Sequence, residues 1–308
     1  MPMSFNKTSK NSIDLSNSDE IILQVLEESN KYLESKNEIS SKIQEIVWIF
    51  RYLEDLLPQT VEKFGSGHMF PLAEANTELE SSIELCKLGF YKHALIALRN
   101  VLELGLLSVY WDIDGKSHVD IQNWLYSFES TPFSKKTVFP KLKINQNIKN
   151  FDDKHKIFDD IDNLFGELSN FVHTKGHYHS SMDLGNANFN RFNEKSLLNW
   201  IEYMIKVVKF VVIIHILKYP VALQYTPLDQ KFGLNGPAGG FLEPRQSEAI
   251  KQFFDGNILK TLQAISDSDD EAIGMTQWIN EQPDIIEEEM EAQVEKFEKT
   301  HKNMRMVK

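Results

Sequence analysis

The sequence predicts an all-α protein, a multi-helix bundle with a small acidic helical extension at its C-terminal end. Three observations carry this prediction. Apolar residues recur at helical spacing through most of the chain. Sustained strand-like alternation occurs nowhere. Only 14 glycines and 10 prolines serve 308 residues, fewer than the tight turns of an all-β protein would use. With 42% hydrophobic and 11% aromatic residues, the composition supports a real core and excludes wholesale disorder.

The elements follow in order. Residues 1–18, rich in Ser and Asn, predict a disordered tail. A helix is expected next, with Ser18 or Asp19 as N-cap and Ile22, Leu23, Leu26 and Leu33 as its apolar stripe. A second helix is expected from about Ser40 to Phe64, with Ile43, Val47, Phe50 and Leu57 on one face and a kink at Pro58. GSGHMFP (residues 65–71) breaks the chain, and Pro71 can open the following helix. The clearest unit comes next. Gly89 divides a first helix from a long second one, Phe90 to Trp111, which predicts a helical hairpin. G-F-Y-x-x-A resembles the turn of a helical repeat, but no second copy occurs, which argues against a solenoid.

A short helix near residues 118–128 and a lysine-rich connector are expected to follow. A helix over about 152–173 comes after them, with Gly176 as the left-handed residue beyond its end. A long helix, Glu194 to about Leu217, should end near Pro220. FGLNGPAGGFLEPR (residues 232–245) then reads as an irregular boundary. The expected organisation is a tail over 1–18, a bundle over 19–227 and an acidic helical region over 228–308. That last region is expected to hold helices near 243–263, 269–280 and 284–302, the last with charges that suit its dipole.

Composition bounds the setting. A single cysteine, Cys86, excludes an internal disulfide framework and predicts a reducing, cytoplasmic compartment. The N-terminal residues have no apolar stretch of the kind a signal peptide needs. The most lipid-like run, Val207 to Leu217, is interrupted or bounded by Lys206, Lys209, His215 and Lys218, so no membrane span is expected. The formal net charge is −12, and Glu243 to Lys299 holds fifteen acidic against five basic side chains. That assigns nearly all the acidity to the C-terminal part. Conversely, Ser134 to Asn150 holds five lysines and no acid. Lys135, Lys136, Lys141 and Lys143 are therefore candidates for binding an anion or nucleic acid, beside the plainer reading of a solvated loop.

Three constellations could carry chemistry. Arg99 and Glu103 stand four apart in ALRNVLE and share a helix face. Flanked by apolar residues, they form either a partly buried pair that fixes packing or the wall of a polar pocket. Ser169 and His173 in ELSNFVH have the same spacing. A histidine can activate a serine hydroxyl, yet no nucleophile elbow surrounds Ser169, so a hydrogen-bonded seam is the alternative. His173, His177 and His179, with Asp183 beyond, could ligate a metal, but Gly176 breaks the i, i+4 geometry. Helix capping by His173 and Lys175 is the competing explanation. GPAGG lacks the Lys and Ser/Thr of a phosphate loop, and no GxGxxG, CxxC or HExxH is present. No cofactor is expected.

ALRNVLE, followed downstream by a helix ending L-S-x-x-V-H, is similar to a group of bacterial all-helical proteins that distantly resemble the HEPN superfamily. Some HEPN members are ribonucleases of toxin–antitoxin and phage-defence systems. The resemblance covers roughly Thr77 to Gly176 and implies a helical bundle with Arg99, Glu103, Ser169 and His173 along a polar seam. HEPN ribonucleases carry Arg and His on one helix with four to six residues between them. Here the corresponding positions after Arg99 are Leu104, Gly105 and Leu106.

Two readings of function emerge. One is a non-enzymatic helical binding or regulatory module for a protein or small ligand, alone or as a homo-oligomer. The other is a divergent nuclease or defence effector. In it His173 would act as general acid/base, Arg99 would stabilise a phosphate transition state and the connector lysines would steer RNA.

Overall fold

A computed structural model describes residues 15–56, 69–115, 136–180, 191–234 and 236–286, except 239, together with a few single positions between and beyond. The described residues form twelve α-helices and two short 3₁₀ turns. They contain no strand, only one antiparallel bridge between Ala238 and Phe241. The all-α, multi-helix expectation holds. The expected helices at 118–128 and 284–302 lie wholly or largely outside the described residues.

Two antiparallel helices organise the molecule. Helix α3 (Met69–Lys87) and helix α4 (Tyr91–Asp114) form the hairpin that Gly89 predicts. Gly89 has φ +78°, and a Cβ there would come within 3.0 Å of the Arg191 carbonyl oxygen. The Phe90 N–H donates to the Leu85 carbonyl at 2.8 Å and closes the turn. Helix α8 (Glu194–Lys218) starts on Asn193, whose side chain accepts from the Ser196 N–H, and it packs along α4. The two approach closely where Gly105 faces Val211. Beside that contact, fully buried His215 places Nε2 3.0 Å from Ser108 Oγ. His215 Nδ1 lies 2.8 Å from the Val211 carbonyl, which can only accept, so Nδ1 carries a proton.

Around this pair lie α1 (Leu15–Ser35), α2 (Asn37–Asp55), α5 (Val138–Leu142), α6 (Gln146–His155) and α7 (Ile157–Val172). The C-terminal helices are α9 (Leu228–Phe232), α10 (Pro244–Phe253), α11 (Gly256–Ser266) and α12 (Asp270–Glu281). The main apolar core runs from Ile46 to Leu262, and Ile250, Phe254 and Leu262 join it from beyond residue 227. The compositional change near that residue is thus bridged by packing. The C-terminal helices seat on the turn Pro220–Leu223, where Ser247 Oγ donates to the Ala222 carbonyl and Ser266 Oγ to the Pro220 carbonyl, each at 2.7 Å. Helix α4 is long and apolar enough to cross a membrane by length and composition, but 67% of its most apolar window is buried within the fold.

Several expectations require correction. Helix α1 begins by Leu15, so residues 15–18 are helical and Ser18 and Asp19 lie inside it. Its inward face runs through Val25 and Ser29, while Leu23 is exposed. In α2 the buried face is Ile46, Ile49, Phe50 and Leu53; Ile43 and Val47 lie on its margin, and Leu57 is outside the described residues. Apolar residues fill more than one helical stripe in both helices, so spacing alone could not select the inward one. The connector is helical in α5 and α6. The helix expected over 152–173 is divided at Lys156, which adopts φ +55°. Asp152 explains that break. Its Oδ1 accepts from the Phe158 N–H at 3.0 Å and caps α7, while Oδ2 pairs with Lys143 at 2.7 Å. The helix expected over 243–263 is likewise two, because Asp255 caps α11 through the Ile258 N–H.

Candidate functional site

Helices α4 and α7 run antiparallel and share a polar seam. Arg99 on α4 donates from Nε to Ser169 Oγ at 3.1 Å and pairs with Glu103 Oε2 through Nη1 at 3.0 Å. Its guanidinium lies over the Phe165 ring, 4.4 Å from the centroid. This planar cation thus meets a hydroxyl oxygen, a carboxylate and an aromatic face at once, a set of contacts lysine could not reproduce. The seam is half-buried: the Arg99 and Glu103 side chains keep 25% and 18% exposure. Burial pushes the Glu103 carboxyl above its usual range, and the Arg99 charge and hydrogen bond oppose that push. Two turns earlier on α4, Lys92 Nζ donates to Thr174 Oγ1 at 2.6 Å.

Arg99, Glu103 and Ser169 therefore converge, with the hydroxyl joined to the arginine. No hydrogen bond links Ser169 to the His173 side chain among the described residues. His173 is the C-cap of α7; its backbone N–H donates to the Ser169 carbonyl at 3.1 Å, and its ring is exposed. The left-handed residue after it is Thr174, at φ +46°, in place of the expected Gly176. Lys175 N–H donates to the Asn170 carbonyl at 3.0 Å and Thr174 N–H to the Phe171 carbonyl at 3.3 Å, the paired bonds of a Schellman turn. Gly176 has φ +73° and ψ 179°, outside the left-handed helical region.

His177 and His179 lie in a 3₁₀ turn. His179 Nδ1 is 2.7 Å from the Lys175 carbonyl, and its ring stands edge-on to Phe171. Among the described residues no group of three His, Cys, Asp or Glu side chains is placed to hold a metal ion, and Asp183 lies outside them. Of the connector lysines, Lys135 is outside the described residues and Lys136 is exposed. Lys141 pairs with Asp114 at 2.8 Å, while Lys143 pairs with Asp152 and covers the Phe158 ring at 4.9 Å. The last two fasten α5 and α6 to their neighbours and are engaged by the fold itself.

The pH dependence of the seam has a definite sign. A carboxyl whose folded pKa is raised favours the fold below its unfolded pKa and loses that contribution as pH rises through the folded value. Arg99→Ala removes the opposing cation, so Glu103 should rise further and its carboxylate should oppose folding more at neutral pH. The expected penalty is about 1–3 kcal/mol near pH 7 and smaller near pH 5, and adding Glu103→Gln should remove its pH-dependent part. Urea unfolding at both pH values measures it. Equal penalties at the two would refute the assignment.

A second feature escaped sequence reasoning altogether. A cleft of about 270 Å³ opens between α1, α2, α3 and α8. Its floor is Leu33, Ile43, Ile83, Cys86 and Trp200; Asn30, Glu34, Ser40, Gln44 and Lys87 form its polar rim. Burial pushes the Cys86 thiol well above its usual range, so it stays protonated and packs as an apolar group. Trp200 donates from Nε1 to Ser82 Oγ at 2.8 Å, and Ser82 Oγ donates to the Ala94 carbonyl at 2.8 Å. That chain holds the indole at the cleft. The cleft draws on four helices far apart in sequence, which leaves no local motif to find. Compared with known protein families, with curated proteins and with solved structures, the chain matches none.

Proposed function

We propose that the protein is a helical binding module whose cleft between α1, α2, α3 and α8 receives an apolar group of its ligand. The observation that carries this reading is the combination of an apolar floor and a rim of amide, hydroxyl and charged groups. Such a lining binds by burial and orients by hydrogen bonds. The engagement of Arg99 supports the same choice over a nuclease-like effector. Nε, one Nη and the guanidinium face are already occupied within the protein, where a transition-state phosphate would need them.

The test uses the fluorescent apolar probe 1-anilinonaphthalene-8-sulfonate with the folded protein. The native chain is expected to bind it in a saturable, one-to-one manner. Gln44→Trp, which fills the cleft from its rim, should abolish that binding while leaving the helical circular dichroism unchanged. Absence of saturable binding, or binding indifferent to the substitution, removes the reading. RNA cleavage by purified protein that disappears in both Arg99→Ala and His173→Ala would favour the effector instead.

A further inference from the structure

We infer that the cleft is one end of a longer docking surface along α2 and α3, and that its occupant is a basic amphipathic helix of a partner protein. This inference rests on the cleft being a binding site.

The surface is continuous. Ser40 and Gln44 of the rim lie on the same stripe of α2 as Trp48, each four residues from the next. Trp48 is 53% exposed, stacks on Tyr52 at 6.4 Å, and lies under the Arg51 guanidinium at 5.3 Å. Helix α3 runs antiparallel beside it: Arg51 pairs with Glu80, and Asn76 Nδ2 donates to Glu54 Oε1 at 3.2 Å. From Ser40 to Glu54 the ledge extends about 21 Å, the length of about fourteen helical residues. An apolar slot followed by a Trp–Arg–Tyr ledge, exposed at Trp48 and half-buried at Arg51 and Tyr52, has the composition of an interface hot spot. Its shape suits a helix that buries spaced apolar anchors.

Charge selects the partner. Helices α1 to α3 carry thirteen acidic against four basic side chains, a net of −9. The chain therefore has a second acidic concentration besides its C-terminal part, contrary to the expectation from the run beyond Glu243. The three cations of α2 and α3 are already matched: Lys42 with Glu45 at 2.9 Å, Arg51 with Glu80, and Lys87 with Glu84 at 3.1 Å. The surplus is carboxylate, and it is crowded. Burial pushes Glu54 above its usual range; the Asn76 hydrogen bond and Arg51 oppose the push, and Asp55 and Glu80 add to it. Lysines or arginines flanking the apolar anchors of an incoming helix would relieve that repulsion and steer the encounter.

A synthetic peptide of about 18 leucines and lysines, with leucines at i, i+3, i+4 and i+7 and a fluorescein label, is the probe. Anisotropy titration against the full chain is expected to show saturable binding that weakens as salt rises from about 50 to about 500 mM. Trp48→Ala should weaken binding about tenfold, and Glu84→Lys should weaken it severalfold. Ser40→Trp or Gln44→Trp should block it, whichever of the two keeps the native circular dichroism. A glutamate-for-lysine peptide should not bind. Equal binding of a scrambled peptide, or indifference to both Trp48→Ala and the blocking variant, overturns the proposal. So does a concentration-dependent dimer in sedimentation velocity that Trp48→Ala dissolves, because the occupant would then be a second copy. If the basic peptide fails while the naphthalene probe still binds and is blocked, only the partner class falls; if both fail, the cleft reading falls with it.

Discussion

Replacing Trp200 with alanine is expected to destabilise the protein by about 3–5 kcal/mol, as removal of a buried aromatic side chain generally does. Trp200 is 2% exposed and joins α8 to the α3–α4 hairpin through the Ser82 hydroxyl. Its loss removes a large apolar contact and also withdraws a donor from Ser82, which is fully buried. Ser82 keeps its own bond to the Ala94 carbonyl, so the added polar cost is modest. Trp200→Phe separates the two parts: it keeps most of the volume and should recover more than half of the loss. Urea unfolding of the three proteins measures this. A Trp200→Ala penalty below about 1 kcal/mol would mean that the indole is not a core element.

The second large effect is expected at Gly105. A Cβ built there lies 2.6 and 2.7 Å from the two methyl carbons of Val211, closer than carbon atoms pack. Gly105→Ala would ordinarily favour a helix interior by about 1 kcal/mol. Here α4 and α8 must instead separate, and overpacking of this kind costs typically 1–3 kcal/mol. Net destabilisation of up to about 2 kcal/mol should follow. Moving the helices apart also stretches the contact between Ser108 and His215, one turn away. Val211→Ala in the same chain removes the clashing methyls and should restore part of the stability, a coupling that a double-mutant cycle resolves. A stabilised Gly105→Ala protein would show that the two helices are not held at this distance.

These two positions also mark what could be read from the sequence. The long apolar helices and the hairpin at Gly89 were legible because helical periodicity and a glycine break are local signals. Gly105 was not distinctive, since a glycine inside a helix reads as a flaw until its neighbour across the interface is known. The break at Lys156 was hidden for a related reason: a carboxylate at Asp152, six residues before Phe158, caps the next helix across the turn. Of the candidate site, the pairing of Arg99 with Glu103 followed from their spacing. Its meeting with Ser169 required the antiparallel docking of α4 on α7. Lys92 stands seven residues before Arg99 on the same face and could have been included by extending the stripe one step. Lys141 and Lys143 looked like a free basic footprint because the carboxylates that hold them, Asp114 and Asp152, lie outside their charge run.

Helix α7 is bounded at both ends by residues other than glycine in the left-handed region, Lys156 before it and Thr174 after it. Each terminus is locked by hydrogen bonds, the Asp152 cap at one end and the Schellman pair at the other. With both ends anchored, the angular phase of the helix about its own axis is fixed. One residue of slippage would turn Ser169 by about 100° away from Arg99. An insertion within α7 would therefore have to be absorbed by unwinding a turn.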